Sequence, residues 1–146
     1  MNFRRFGRLG WQVSEIGYGM WGMGGWSGSD DTESSRALDR AVELGCNFFD
    51  TAFVYGMGRS EKLLGEMLRR HSGRTLYIAT KVPAKNMKWP GSADVPATDT
   101  YPFEHILEMT ERSLENLGTN SVHLQQLHVW SDAWAADTAG SEPQKN

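Results

Sequence analysis

The stretch NFFDTAFVYGMGRSEKLLGEML, residues 47–68, decides the fold. From Cys46 to Asp50 it is a compact apolar run of the length of a buried strand, and the run ends on a carboxylate. A loop, TAFVYGMGR, follows. Ser60 then stands where a helix cap is expected, ahead of a helix whose inner face is Leu63, Leu64, Met67 and Leu68 and which ends near Ser72 and Gly73. Strand, loop and helix in that order form one α/β unit.

The same unit recurs on both sides. Upstream, Ser14 to Trp21 reads as a strand that runs into the glycine-rich loop GMWGMGGWSGS. A helix then starts at Ser29, Asp30 and Asp31 with Glu33 close behind, carries Ala37, Leu38, Ala41 and Val42 on its apolar face, and stops at Gly45. Downstream, a third strand from Leu76 to Thr80 stops at Lys81, and the stretch from Pro83 to Pro102 is too long for an ordinary connection, which suggests a functional or mobile loop. A helix from Phe103 to Leu117 follows, with Ile106, Leu107, Thr110, Leu114 and Leu117 on one side and Gly118 as its stop. The fourth strand spans Val122 to Val129. Ahead of all this, FRRFGRLGWQV is expected to form a small hairpin. The alternation predicts parallel strands joined by crossovers in an α/β fold of about four strand-helix units.

Composition narrows the function. The 146 residues suit one core, and the net charge of −3 is spread without a basic stripe, so nucleic acid is not an expected partner. No window approaches the length of a membrane span and no leader pattern is visible, so no membrane partner and a soluble, cytoplasmic setting are expected. The single cysteine, Cys46, lies in an apolar segment and is expected to be a buried core residue, with no disulfide and no metal site.

In parallel α/β architectures ligands bind at the carboxyl ends of the strands. Asp50 closes strand two, Tyr55 lies in the loop after it, Lys81 closes strand three and His128 lies near the end of strand four. Taken singly, each has a structural explanation in capping, packing or solvation; together they face one mouth. A cation beside a phenol makes it a readier proton donor, so Tyr55 is expected to act as general acid. Asp50 would hold Lys81, and His128 would hydrogen-bond the oxygen of a small carbonyl substrate. Turning a carbonyl into an alcohol also needs a hydride, which no side chain supplies, so a nicotinamide cofactor is implied. His123, five residues before His128, is expected to face the other way and be structural. His71 and His105 read as surface positions, and Trp11 and Trp26 as packing residues.

The segments 47–68, IATKV (78–82), LQQLHVW (124–130) and RRFGRLGWQVSEIGYGMWGMGG (4–25) resemble the signatures of aldo-keto reductases, over about residues 3 to 134. The resemblance implies a (β/α)₈ TIM-type barrel, NADP(H) as cofactor, and catalysis by Asp50, Tyr55, Lys81 and His128. It further implies that Gly19, Met20 and Trp21 lie with Asp50 beside the nicotinamide ribose, and that Trp21 walls the substrate pocket with Tyr55 and His128. Trp89, in the long loop, either borders the substrate or is a surface aromatic of a mobile loop. The chain departs from the pattern at Met20, where the family often has Thr, and at Asn120, Ser121 and His123, where an acidic pair around a Tyr-Ile step is common.

A complete barrel takes ~250 residues. Residues 1–132 therefore read as its N-terminal half, and 133–146, which lack an apolar period, as a disordered tail. Strands one and four would be open edges that invite self-association. Such a chain is expected to be a truncated product or fragment, and the resemblance leaves a second reading beside the reductase, a non-catalytic interaction module of the same family. Most of the grip on the cofactor's phosphates and adenine would belong to the other half.

Overall fold

A computed structural model describes residues 1–26, 28–88, 91 and 94–134 of the chain. It opens with an antiparallel hairpin, β1 (Phe3–Phe6) and β2 (Trp11–Ser14). Four parallel strands follow in one sheet: β3 (Tyr18–Gly19), β4 (Phe48–Asp50), β5 (Tyr77–Val82) and β6 (Leu124–Leu127), ordered β3-β4-β5-β6. Between them run α1 (Asp31–Glu43), α2 (Arg59–Arg70), a single turn α3 (Ala97–Thr100) and α4 (Phe103–Leu117). This is the expected half of a parallel barrel preceded by a hairpin.

The helices form one layer, α1 against α2 and α2 against α4. The main core lies between that layer and the sheet, where Leu38, Val42, Leu64 and Met67 meet Phe49 and Ile78. A second cluster, around Val82, Tyr101, Met109 and Trp134, packs the long loop against the end of the sheet. Asn47 ties the hairpin to the sheet: its Oδ1 accepts from the Ser14 N–H at 2.7 Å and its Nδ2 donates to the Gln12 carbonyl at 2.9 Å. Trp11 of the hairpin stacks on Tyr77, covering the amino end of β5.

Several local expectations need correcting. Ser14–Trp21 is not one strand, because Ser14 ends the hairpin and only Tyr18–Gly19 joins the sheet. Trp21 instead begins a short 3-10 helix, Trp21–Gly24. Asp30 does cap α1, accepting from the Glu33 N–H at 2.9 Å, but Ser60 does not cap α2. That position belongs to Gly58, whose φ of +95° favours glycine and whose missing Cβ leaves room for the Asn116 amide. α4 has the expected bounds and a left-handed Gly118 stop, but its buried stripe is Met109, Ser113 and Leu117, and Leu107 is exposed. Trp134, assigned to the tail by sequence, is buried and donates its indole N–H to the Val95 carbonyl at 2.9 Å; the remainder of that tail lies outside the described residues. His71 bonds Asp39 and His105 bonds the Pro83 carbonyl, each at 2.8 Å, so both are engaged rather than free on the surface. Among the described residues no helix is long and apolar enough to cross a membrane.

Candidate active site

The register of the sheet stacks Gly19, Asp50, Ala79 and Leu124 in one row, with Lys81 beside Gln126 in a row nearer the carboxyl ends. Side chains two apart on a strand share a face, so Gln126 and His128 point the same way from β6 and its extension. His128 is held in place on its amino side, its N–H donating to the Val82 carbonyl at 2.9 Å.

These placements bring the four expected residues together. The Lys81 ammonium is largely buried and donates to Asp50 Oδ1, to the Thr51 carbonyl at 2.9 Å and to the Tyr55 hydroxyl at 3.4 Å. It also lies 5.1 Å from the centre of the Tyr55 ring, within range of a cation–π attraction. The other oxygen of Asp50 accepts from Gln126 Nε2 at 3.3 Å, so the carboxylate is gripped on both sides. The His128 ring stands edge-on to the Tyr55 ring, 5.6 Å between centres. Burial first, and then the positive charge of Lys81, holds the His128 imidazole below its ordinary value, with Asp50 opposing. His128 is therefore neutral at pH 7 and can offer one N–H to an acceptor.

A buried polar frame supports this arrangement. Thr51 Oγ1 and Ser60 Oγ are 2.8 Å apart, and Ser60 Oγ donates to the Met20 carbonyl at 3.3 Å, so the first residues after β3 and β4 are joined to the start of α2. Beneath Lys81, Thr80 Oγ1 donates to Glu61 Oε1 at 2.7 Å, and Asn116 Nδ2 donates to Glu61 Oε2 at 2.9 Å. Glu61 is wholly buried, and its carboxylate ties β5, α2 and α4 at one point.

The remaining expected positions divide. Gly19 is exposed, with open space where a Cβ would stand, and Trp21 is 61% exposed. Met20 needs correction: it is fully buried in the main core, and its N–H donates to the Asp50 carbonyl at 2.9 Å, so its side chain does not reach the mouth. Trp89 lies outside the described residues. His123 is structural, but by a different route from the one expected. It precedes β6 at the amino end of the sheet, accepts from the Ile78 N–H at 3.2 Å and packs edge-on against Trp11 and Tyr77. Trp26, given only a packing role from sequence, stands edge-on to Tyr55 at 6.1 Å and leans on Trp21 at 5.4 Å. Gln126 and Glu61 were also missed. The i,i+2 spacing of Gln126 to His128 was the one signal available for either.

A sequence model of the aldo/keto reductase family matches residues 15–141. The chain belongs to that family. Over 139 residues it is 30% identical to the aldo-keto reductase YhdN of Bacillus subtilis strain 168, a match covering 90% of this chain and 39% of that protein. The holo form of an aldo-keto reductase from Bacillus halodurans superposes with a TM-score of 0.70 at 28% identity, covering 94% of this chain and 43% of that one. A family member from Klebsiella pneumoniae, solved in complex with NADP and acetate, gives a TM-score of 0.64 at 25% identity, covering 86% and 38%. The chain thus spans about two fifths of the curated relative's length, and the aldo-keto reductase barrel is represented by four of its strands.

Proposed function

We propose that this chain carries the catalytic half of an NADP(H)-dependent aldo-keto reductase that reduces a small aldehyde or ketone to an alcohol. The observation that carries the reading is the contact of Lys81 with Asp50 and Tyr55 beside a neutral His128. The exposed Gly19, with space above it, the exposed Trp21 indole and the partly exposed Asp50 carboxylate fit a nicotinamide ribose laid over the mouth. When bound, the reduced cofactor supplies the hydride that the carbonyl carbon accepts. The NADP complex of the Klebsiella relative supports the choice of cofactor.

The chain's own residues do the rest. His128 donates its N–H to the carbonyl oxygen and orients it, and Tyr55 gives that oxygen its phenolic proton as negative charge develops there. The Lys81 ammonium stabilises the phenolate left behind, and Asp50 with the Thr51 carbonyl keeps Lys81 aimed at Tyr55. Trp21 and Trp26 wall the approach to Tyr55. In this reading the protein works in the cytoplasm, and the open sides of β3 and β6 favour self-association.

The test is NADPH consumption by the purified chain with a reactive aromatic aldehyde, repeated with Tyr55→Phe. The expected result is turnover that falls by about two orders of magnitude or more in the variant, the range of a general acid's contribution. Equal turnover in both proteins overturns the role of Tyr55. No turnover in a folded sample turns the reading toward an interaction module of the same family.

A further inference from the structure

From the packing of the long loop, we infer that Tyr101 is a positioning residue for His128, through two hydrogen bonds to the backbone of Val129, the residue that follows it. The Tyr101 hydroxyl accepts from the Val129 N–H at 2.9 Å and donates to the Val129 carbonyl at 3.1 Å. With the His128 backbone N–H already committed to the Val82 carbonyl, the chain on both sides of the imidazole is fixed, by β5 before it and by Tyr101 after it. The segment past β6 has no strand partner of its own there, and a side chain supplies what a sheet ladder would have supplied.

Tyr101 itself is rigid. It is 6% exposed, it follows α3, and its N–H donates to the Ala97 carbonyl at 2.8 Å. The Lys85 N–H donates to the Thr100 carbonyl at 2.9 Å and closes the base of the loop. Trp134 stands edge-on to the Tyr101 ring at 6.3 Å and bonds the Val95 carbonyl, so the loop and the segment after His128 are locked at two points. Burial pushes the Tyr101 phenol up, only partly offset by the neighbouring peptide groups, and it stays protonated as the donated bond requires.

The inference rests on the proposed role of His128, and its test separates the two. The full chain and Tyr101→Phe are compared by NMR titration of the His128 imidazole and by steady-state kinetics. Tyr101→Phe is expected to lift the His128 titration toward its ordinary 6.5 and to raise KM for the aldehyde more than it lowers kcat. Trp134→Phe, which loosens the same cluster but leaves the Val129 bonds in place, is the control and is expected to leave the titration where it is. A His128 titration unmoved by Tyr101→Phe overturns the inference, as does an equal shift in both variants, which would mean general loosening. A shift confined to Tyr101→Phe in a chain without turnover upholds the positioning and removes the reductase reading alone.

Discussion

Removing the Glu61 carboxylate strands two donors, one of them, the Thr80 hydroxyl, in a buried place. Thr80 Oγ1 and Asn116 Nδ2 both aim at it, and a buried donor without an acceptor costs about 1–3 kcal/mol. Glu61→Ala is therefore expected to lower the unfolding free energy by about 3 kcal/mol in urea titrations. A loss within experimental error would mean the three elements are held by their apolar contacts alone. Residues of this kind are what sequence hides. Asp50, Tyr55, Lys81 and His128 were legible because strand ends and loop spacing fix them locally, and parallel strands bring those ends together. Glu61 looks like an ordinary acidic residue in a first helical turn, favoured there by the helix dipole. Nothing local shows that it turns inward. Met20 misled in the opposite sense, since the family resemblance puts it beside the cofactor while its side chain fills the core.

Two contacts between helices make sharp tests at the level of elements. Gly65 of α2 lies against the end of α4, where an added Cβ would come within 2.4 Å of the Leu117 carbonyl oxygen. Helix propensity alone favours Gly65→Ala by about 1 kcal/mol, whereas overpacking typically costs about 1–3 kcal/mol. The backbone contact is expected to win, so the variant should unfold at lower denaturant than the parent; a more stable variant would show that α4 moves aside without cost. Between α1 and α2, Asp39 accepts from Arg70 at 3.0 Å and pairs with His71. Burial would raise its carboxyl, but the hydrogen bonds from Arg70 and His71 outweigh this and hold it below the ordinary 3.8. The unfolded chain takes up that proton at a higher pH than the folded one. The contribution of Asp39 is therefore complete above 3.8 and is lost as pH falls from there through the folded value. Asp39→Asn should flatten this part of the stability profile, measured as denaturation midpoint against pH; an unchanged slope would assign the acid sensitivity elsewhere. The bounds of α4 were legible from its period and its glycine stop. Its buried face was not, because Gly65 lets α2 approach the backbone at Leu117 and Ser113 sits in the buried stripe, and small residues carry little weight in a hydrophobic pattern.

At the scale of the molecule, the alternation of strands and helices was readable because each unit repeats a local pattern. The hairpin's attachment through Asn47 was not, since it depends on residues more than thirty positions apart. The described sheet pairs β3 and β6 on one side each, and Leu127 is 45% exposed on the outer strand. Unpaired strand edges with apolar side chains promote association between chains. Sedimentation velocity over rising concentration should show this chain growing in size, with Leu127→Lys suppressing the growth; a single concentration-independent species would mean that both edges are protected.

The order of the strands across the sheet is also their order along the chain. Each new strand therefore docks beside the one made just before it, and none has to be inserted between two strands already joined. Assembly can follow the order of synthesis: β3 can pair with β4 before β6 has been made, and β6 adds last at a border that is still open. His128 comes with that final piece. In the proposed reading, the residue that would aim the carbonyl can take its position only after Lys81, Asp50 and Tyr55 have been made, which would tie the site to the last stretch of the sheet.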